Sequence, residues 1–142
     1  MVLARSRLPS LAEYRALAEL RHQLRRFLAF SESSARKVGL EPQQHQLLLA
    51  IKGLPATLRP TVGTLAQRLC VEHHTAVALV DKLAAAQLVR RARSARDRRE
   101  VLLEITSLGE QRLASLSALH KVQLLSLAPD LLGALRDVLD DG

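Results

Sequence analysis

Two long segments, one toward each end of the sequence, repeat apolar residues at helical spacing. The first covers residues 11–38, and its apolar stripe consists of Leu17, Leu20, Leu24 and Phe27. The second covers residues 107–141, where Pro129 predicts two successive helices because proline disrupts a helix interior. The apolar positions of this second segment are Leu113, Leu116, Leu124, Leu127, Leu132, Leu135, Val138 and Leu139. One small domain cannot cover all these faces, so we expect them to pack against a second copy of the chain.

Shorter elements lie between the two long segments. They are a helix at residues 42–52, two helices at 61–69 and 73–86, and two strands at 88–92 and 100–105. Two short helices joined by a brief turn are the helix-turn-helix arrangement. The strands that follow alternate apolar residues with a period of two and are joined by an arginine-rich tip, which predicts a wing.

The predicted fold class is therefore mainly α with a small β-wing. We expect one domain over residues 1–142, in which a winged helix-turn-helix at 42–106 is flanked by dimerisation helices at 11–38 and 107–141. A chain of this length can bury a core without disulfides or metals.

Positive charge is concentrated in one stretch of the chain. The formal net charge is +7, and residues 59–99 hold nine Lys or Arg against three Asp or Glu. Such a concentration is typical of a surface that binds a polyanion, although acidic lipids or proteins attract the same charge. Two Phe, one Tyr and no Trp disfavour single-strand binding by base stacking.

Motifs of enzymes, cofactor sites and secreted proteins are missing from the sequence. It contains no GxGxxG, P-loop or nucleophile elbow, and no Cys or His pairs at metal-ligand spacing. Cys70 is the only cysteine, which leaves no intrachain disulfide. The first ten residues lack the apolar core of a signal peptide, and no apolar run approaches bilayer length. We expect a cytoplasmic protein that is not an enzyme and needs no cofactor or metal.

Residues 61–110 resemble the DNA-binding half of the MarR (multiple-antibiotic-resistance regulator) family. The matching pieces, in the family's order and spacing, are LAQRL at 65–69, HHTAVALVDKL at 73–83, LVRR at 88–91, DRR at 97–99 and ITSLGE at 105–110. The resemblance implies a bacterial, nucleoid-associated transcription regulator that binds a pseudo-palindromic double-stranded DNA operator as a homodimer. It further implies a repressor, or less often an activator, relieved by a small aromatic or phenolic effector.

Three positions depart from the family pattern. Cys70 stands at a turn position that is usually Gly, and Gln87 replaces the Gly that usually ends the recognition helix. Both substitutions require a side chain to fit a tight backbone. Ala78 stands where the family often has a polar or basic residue, which leaves fewer side chains to read bases. We expect Cys70 to be a small buried turn residue, with a redox-sensing thiol as the alternative.

The second helix of the motif is expected to enter the major groove. The predicted major-groove contacts are His73, His74, Thr75, Val77 and Ala78. The predicted wing contacts are Arg96, Asp97, Arg98 and Arg99. By the family pattern Asp97 orients Arg99 through a bidentate contact while Arg99 enters the minor groove, with Arg98 as the alternative inserting residue. The predicted phosphate contacts are Thr64, Arg68, Lys82, Arg90 and Arg91.

An effector pocket is implied between the dimerisation helices and the winged region. Its candidate residues are Tyr14, Arg21, His22 and His45. Three other functions remain open at this point. They are an architectural DNA-binding protein without a ligand, a module that binds an acidic protein partner, and a thiol-based redox regulator.

Overall fold

The computed structural model describes residues 7–140. Its elements are α1 (Leu11–Lys37), α2 (Pro42–Lys52), α3 (Val62–Leu69), α4 (His73–Ala85), β1 (Val89–Arg93), β2 (Val101–Ile105) and α5 (Ser107–Asp140). The predicted mainly α fold with a two-stranded wing is confirmed. The chain divides into two compact units, which we call the terminal unit (described residues 7–31 and 120–140) and the winged unit (Glu32–Leu119). Within residues 7–140, no helix combines the length and apolar content needed to cross a membrane.

The winged unit has an aliphatic core, as the scarcity of aromatic residues predicts. Its largest fully buried apolar side chains are Leu47 and Leu48 of α2, Leu65 of α3, Val80 and Leu83 of α4, Leu103 of β2 and Leu116 of α5. Burying one such leucine is worth about 1.5–3 kcal/mol. Leu113 and Leu116, expected on a face that awaits a second copy of the chain, instead belong to this core.

Three helices of the winged unit end in the same hydrogen-bonded turn. After α1, α3 and α4 the chain enters the left-handed region at Gly39, Cys70 and Gln87, with φ of 79°, 55° and 62°. At Cys70 the amide donates to Gln67 at 3.1 Å, and the next amide, Val71, donates to Ala66 at 3.0 Å. This pair of bonds defines the Schellman motif, which glycine usually completes because it lacks a Cβ. The expectation that Cys70 and Gln87 occupy tight backbone is confirmed.

Replacing Gln87 with glycine should therefore stabilise the protein. A left-handed conformation costs a non-glycine residue about 1–2 kcal/mol, whereas glycine loses about 0.5–1 kcal/mol more entropy on folding. We expect Gln87→Gly to raise the free energy of unfolding by about 0.5–1 kcal/mol in urea titrations. Gly39→Ala is the matched control and should have the opposite sign, because it places a non-glycine residue at a φ of 79°. Its new Cβ would meet only Arg112 Nη1, at 3.6 Å, so no clash adds to the backbone cost. A shift in the same direction for both variants would contradict the argument.

The wing is an antiparallel pair in which Val89 faces Ile105 and Arg93 faces Val101. A further bond from the Leu103 amide to the Pro60 carbonyl, at 2.8 Å, joins β2 to the loop before α3. The wing therefore has a fixed base within the winged unit.

Two residues join the wing to α5. The Thr106 hydroxyl donates to the Gln87 carbonyl at 2.6 Å and accepts the Gly109 amide at 3.1 Å, so it caps the new helix. A Cβ on Gly109 would lie 2.2 Å from the Leu88 carbonyl oxygen, which explains why this position is glycine. The ITSLGE sequence thus serves a tight strand-to-helix junction.

The helix after the wing does not end at Pro129. One helix, α5, continues through the proline to Asp140, so the prediction of two helices is wrong. Proline removes one helical hydrogen bond and crowds the carbonyl of Leu125, but its φ is compatible with a helix. Leucine and alanine are frequent on both sides and favour its continuation. The predicted end of this segment at residue 141 lies outside the described residues.

The terminal unit has little buried apolar surface of its own. Its buried hydrophobic side chains are Ala16, Leu127 and Ala134, among the residues described. Its exposed hydrophobic side chains are more numerous, and they include Val122, Leu125 and Leu139, which are 68%, 67% and 72% exposed. Phe30 and His120 form an edge-to-face contact at 5.9 Å, and burial lowers the pKa of His120.

Candidate nucleic-acid interface

Helix α4 buries one side and presents the opposite side to solvent. The buried side consists of Ala76, Leu79, Val80 and Leu83, which recur every three or four residues. His73 and His74 are exposed in the first turn, Ala78 is exposed one turn further on, and Thr75 and Val77 are half-buried. His74, Ala78 and Asp81 therefore lie on the side of the helix that faces away from the core. Of these, only His74 and Asp81 can form hydrogen bonds to a base edge.

The position of α4 is set by α3 and the turn between them. The Thr61 hydroxyl accepts the Thr64 amide at 3.2 Å and caps α3, and the left-handed Cys70 ends it. The thiol of Cys70 is exposed, so the expectation of a buried turn residue is wrong. Its backbone, rather than its side chain, is what the turn uses: the Schellman bonds involve the amides of Cys70 and Val71.

Arginine side chains project from the tip of the wing. Arg96, Arg98 and Arg99 are exposed and, among the described residues, form no ion pair. Unpaired guanidinium groups on an exposed hairpin keep their full charge and donors for an external acceptor. The tip is thus well suited to approach a polyanion.

Asp97 contacts Arg99 in a different way from that implied by the family resemblance. Its Oδ1 accepts the backbone amide of Arg99 at 2.9 Å. No ion pair joins the Asp97 carboxylate to an arginine side chain anywhere in the part of the chain that is described. The expected bidentate contact with the guanidinium is therefore replaced by a local turn that fixes the backbone of Arg99.

Three basic residues of the 59–99 stretch are paired with carboxylates. Arg91 pairs with Asp81, Arg90 with Glu104 at 2.7 Å, and Arg59 with Glu100 at 2.6 Å. The first two pairs are largely exposed and leave both predicted phosphate contacts, Arg90 and Arg91, at the surface. Exposed pairs of this kind contribute at most about 1 kcal/mol, so either arginine could exchange its partner for a phosphate.

The other predicted phosphate contacts lie on α3 and α4. Arg68 and Lys82 are exposed, and neither is part of an ion pair with any described residue. Thr64 is half-buried, and its hydroxyl accepts that of Thr61 at 3.0 Å. Thr64 thus serves the helix cap first and is less available to DNA than its sequence position indicates.

Residues implied for the effector pocket have different surroundings. Tyr14, Arg21 and His22 are exposed on α1 in the terminal unit. His45 is only 2% exposed and lies within the winged unit. A separate cleft of about 410 Å³, which the sequence did not predict, opens in the winged unit beside Leu79 and Lys82 of α4. It is also lined by Glu32, Arg36 and Glu41, which lie in the last turns of α1 and just before α2 and are far from α4 in the sequence.

Sequence reasoning also missed a polar cluster at the base of the wing. Arg59 contacts Glu100 and Ser94, and Ser94 is only 5% exposed. In the sequence, Arg59 is only one of nine basic residues in the 59–99 stretch. The pairing crosses 41 residues, and no local pattern marks it.

Comparisons with known proteins agree with this architecture. Residues 38–100 match the model of the MarR family. No curated protein matches the chain. AbsC, a MarR family transcriptional regulator from Streptomyces coelicolor, is similar in structure with a TM-score of 0.74 and 19% identity, over 89% of this chain and 84% of that one.

Two further solved structures show the same fold. RV1404 from Mycobacterium tuberculosis has a TM-score of 0.69 and 21% identity, over 86% of this chain and 82% of that one. A mutant of S. aureus MepR bound to an oligodeoxyribonucleotide has a TM-score of 0.62 and 17% identity, over 82% of each chain. The match over residues 38–100 and this shared architecture show that the chain has a winged helix-turn-helix fold and is similar in that part to the MarR family.

Proposed function

We propose that the protein is a sequence-specific transcription regulator that binds double-stranded DNA. The observation that carries the proposal is the surface of the winged unit, which exposes the histidine-bearing start of α4 together with three unpaired arginines at the wing tip. The DNA-bound MepR mutant, which shares the fold, supports it. We propose no enzymatic activity.

In the proposed complex α4 lies in the major groove. His73, His74 and Thr75 supply hydrogen bonds to base edges or phosphates, and Val77 and Ala78 supply apolar contact to thymine methyl groups. Arg99 enters the minor groove, where a narrow A·T-rich groove has enhanced negative potential. Phosphate contacts from Arg68, Lys82, Arg90, Arg91 and the amide end of α3 near Thr64 fix the register.

The regulator is proposed to act as a homodimer. Its support is the large apolar surface that the described part of the terminal unit leaves exposed, including Val122, Leu125 and Leu139. An isologous dimer presents two copies of α4 to successive major grooves about 34 Å apart, which matches a pseudo-palindromic operator. The chain on its own would read only one half-site.

Repression relieved by a small aromatic or phenolic acid is the proposed mode of action. Tyr14, Arg21 and His22 of the terminal unit, and His45 of the winged unit, remain the proposed effector contacts. The cleft beside Leu79 and Lys82 offers a second location, since a ligand there would touch α4 directly. Titration of the protein–operator complex with phenolic acids tests release, and the Arg36→Ala variant tests the cleft, because Arg36 lines it and is not a proposed DNA contact.

To test sequence-specific binding, the operator is first located as the DNA upstream of the protein's own gene that the protein protects in a footprint. The affinities for this operator and for random DNA are then compared. Replacing His74 with Ala should weaken operator binding by about 1–3 kcal/mol and random DNA by much less, because base contacts carry specificity. His22→Ala, which removes another exposed histidine from α1, is the matched control and should leave both affinities unchanged. Equal losses on operator and random DNA would assign His74 to phosphate contact.

The same experiment separates the alternatives. A diffuse footprint would favour an architectural DNA-binding protein, and failure to shift any duplex would favour a module for an acidic protein partner. The exposure of Cys70 gives the redox alternative a specific basis, because an oxidant can reach the thiol. Release by peroxide that is lost in Cys70→Ser would favour that alternative over a small-molecule effector.

A further inference from the structure

The side chain of Arg59 contacts the two residues between which the tip of the wing lies. Its Nε donates to Glu100 Oε1 at 2.7 Å, and its Nη2 lies 2.6 Å from the same oxygen. Nη2 also donates to Ser94 Oγ at 2.8 Å. Ser94 directly follows β1 and Glu100 directly precedes β2, so one guanidinium joins the residues at which the tip begins and ends.

Ser94 transmits this contact to the tip. Its hydroxyl oxygen accepts the amide of Arg96 at 3.1 Å and that of Asp97 at 3.4 Å. The Ser94 amide donates to the Glu100 carbonyl at 3.0 Å, which closes the loop. Because Ser94 is only 5% exposed, water competes weakly for these bonds.

Three further hydrogen bonds are formed by residues of this closed loop. The Glu100 amide donates to the Asp97 carbonyl at 3.0 Å, and the Arg99 amide donates to the Asp97 carboxylate at 2.9 Å. Arg93 Nη1 donates to the Arg98 carbonyl at 2.6 Å. The backbone of the tip is thus held from within, and its exposed arginines extend from a fixed frame.

We infer that Arg59 is a positioning residue for the wing tip rather than a contact for DNA. Two of its three nitrogens are engaged by Glu100 and Ser94, and its charge is balanced by the carboxylate it contacts. A guanidinium holds both partners at once because its donors form a rigid planar fork, which the single ammonium of lysine cannot reproduce. The part of this inference that concerns DNA affinity rests on the proposed function.

A role in positioning the tip and a role through charge alone predict different effects of substitutions on DNA binding. If Arg59 and Glu100 act only through charge, Arg59→Gln weakens DNA binding, Glu100→Gln strengthens it and Ser94→Ala has no effect. If they position the tip, all three variants weaken operator binding, by about tenfold, since each removes a charge-assisted or buried hydrogen bond. Arg59→Lys keeps the charge and should behave like Arg59→Gln.

Amide hydrogen exchange tests the same network without DNA. We expect exchange at Arg96 and Asp97 to accelerate by about tenfold to a hundredfold in Arg59→Gln and Ser94→Ala. Lys52→Gln is the matched control, because it removes one cation from an ion pair with Glu110 outside the wing. It should leave exchange at the tip unchanged, and thermal unfolding should confirm that all variants are folded.

Unchanged exchange at Arg96 and Asp97 in both wing variants would overturn the inference, as would tighter operator binding by Glu100→Gln. If the wild-type protein bound no duplex DNA, the proposed function would fail by itself. The exchange measurements would then still decide whether Arg59 holds the tip.

Discussion

Replacing Leu125 and Leu132 with glutamate should convert the protein to a monomer and abolish operator binding. Both side chains are exposed on α5, by 67% and 52%, and they lie seven residues apart, which places them on one face of the helix. Burying a leucine at an interface is worth about 1.5–3 kcal/mol per side chain. Each subunit contributes both residues to a two-fold interface, so the double variant changes four side chains in the dimer and the loss in dimerisation free energy is correspondingly larger.

We expect the dissociation constant of the dimer to rise by at least about a thousandfold, since every 1.4 kcal/mol is a factor of ten. Light scattering across a concentration series measures the assembly, and a mobility shift on the operator measures its consequence. Leu49→Glu is the matched control, because Leu49 is a leucine of the winged unit that is 48% exposed and lies on α2, outside the wing. It should leave both assembly and binding intact. A double variant that remains dimeric at micromolar concentration would refute the proposed interface.

Much of the fold was predictable because its signals are local. The predicted helix at 42–52 coincides with α2, since Pro42 fixes its start and Gly53 follows its last residue. The predicted bounds of the helix-turn-helix and the wing lie within one residue of the observed ones, because the period of apolar residues changes from helical to alternating at the end of α4. The tight backbone at Cys70 and Gln87 was also expected, because the family that the sequence resembles usually has glycine at both positions.

The errors arose where distant residues decide the outcome. Pro129 is the exception, because the neighbouring leucine and alanine residues favour the helix that a rule about proline alone predicts to end. Leu113 and Leu116 have the same spacing as the exposed leucines of α5 and differ from them only in what packs against them. The cluster of Arg59, Ser94 and Glu100 had no sequence signal, because a charge census does not distinguish a paired arginine from an unpaired one.

Replacing Arg99 with alanine should weaken operator binding by about tenfold to a hundredfold and reduce the preference for A·T-rich flanks. Loss of a simple phosphate contact lowers the salt slope by about one unit and leaves sequence preference alone. Loss of an arginine in a narrow minor groove also removes the readout of groove width. Arg99→Lys should not restore the preference, because an ammonium is more strongly hydrated than a guanidinium and lacks its planar fork.

Substitutions of Asp97 distinguish a role in positioning Arg99 from an effect of charge alone. Its carboxylate accepts the Arg99 amide at 2.9 Å, so it sets the backbone from which Arg99 extends. Asp97→Ala and Asp97→Asn each make the protein more positive by one charge, but only asparagine keeps an oxygen that can accept this amide. If Asp97 acts only by repelling DNA, both variants bind the operator more tightly, and by similar factors. If it positions Arg99, Asp97→Ala resembles Arg99→Ala, whereas Asp97→Asn retains wild-type or tighter binding.

The measurement is the operator affinity of both Asp97 variants across a salt series, on flanks that are rich in A·T or in G·C. Tighter binding by Asp97→Ala at every salt concentration would eliminate the positioning role, because a pure charge effect has that sign. Equal weakening of both variants would favour a contact that needs the full carboxylate, such as the bidentate pairing with the Arg99 guanidinium. Weakening by alanine alone, with the loss confined to A·T-rich flanks, is the result that the hydrogen bond between Asp97 and Arg99 predicts.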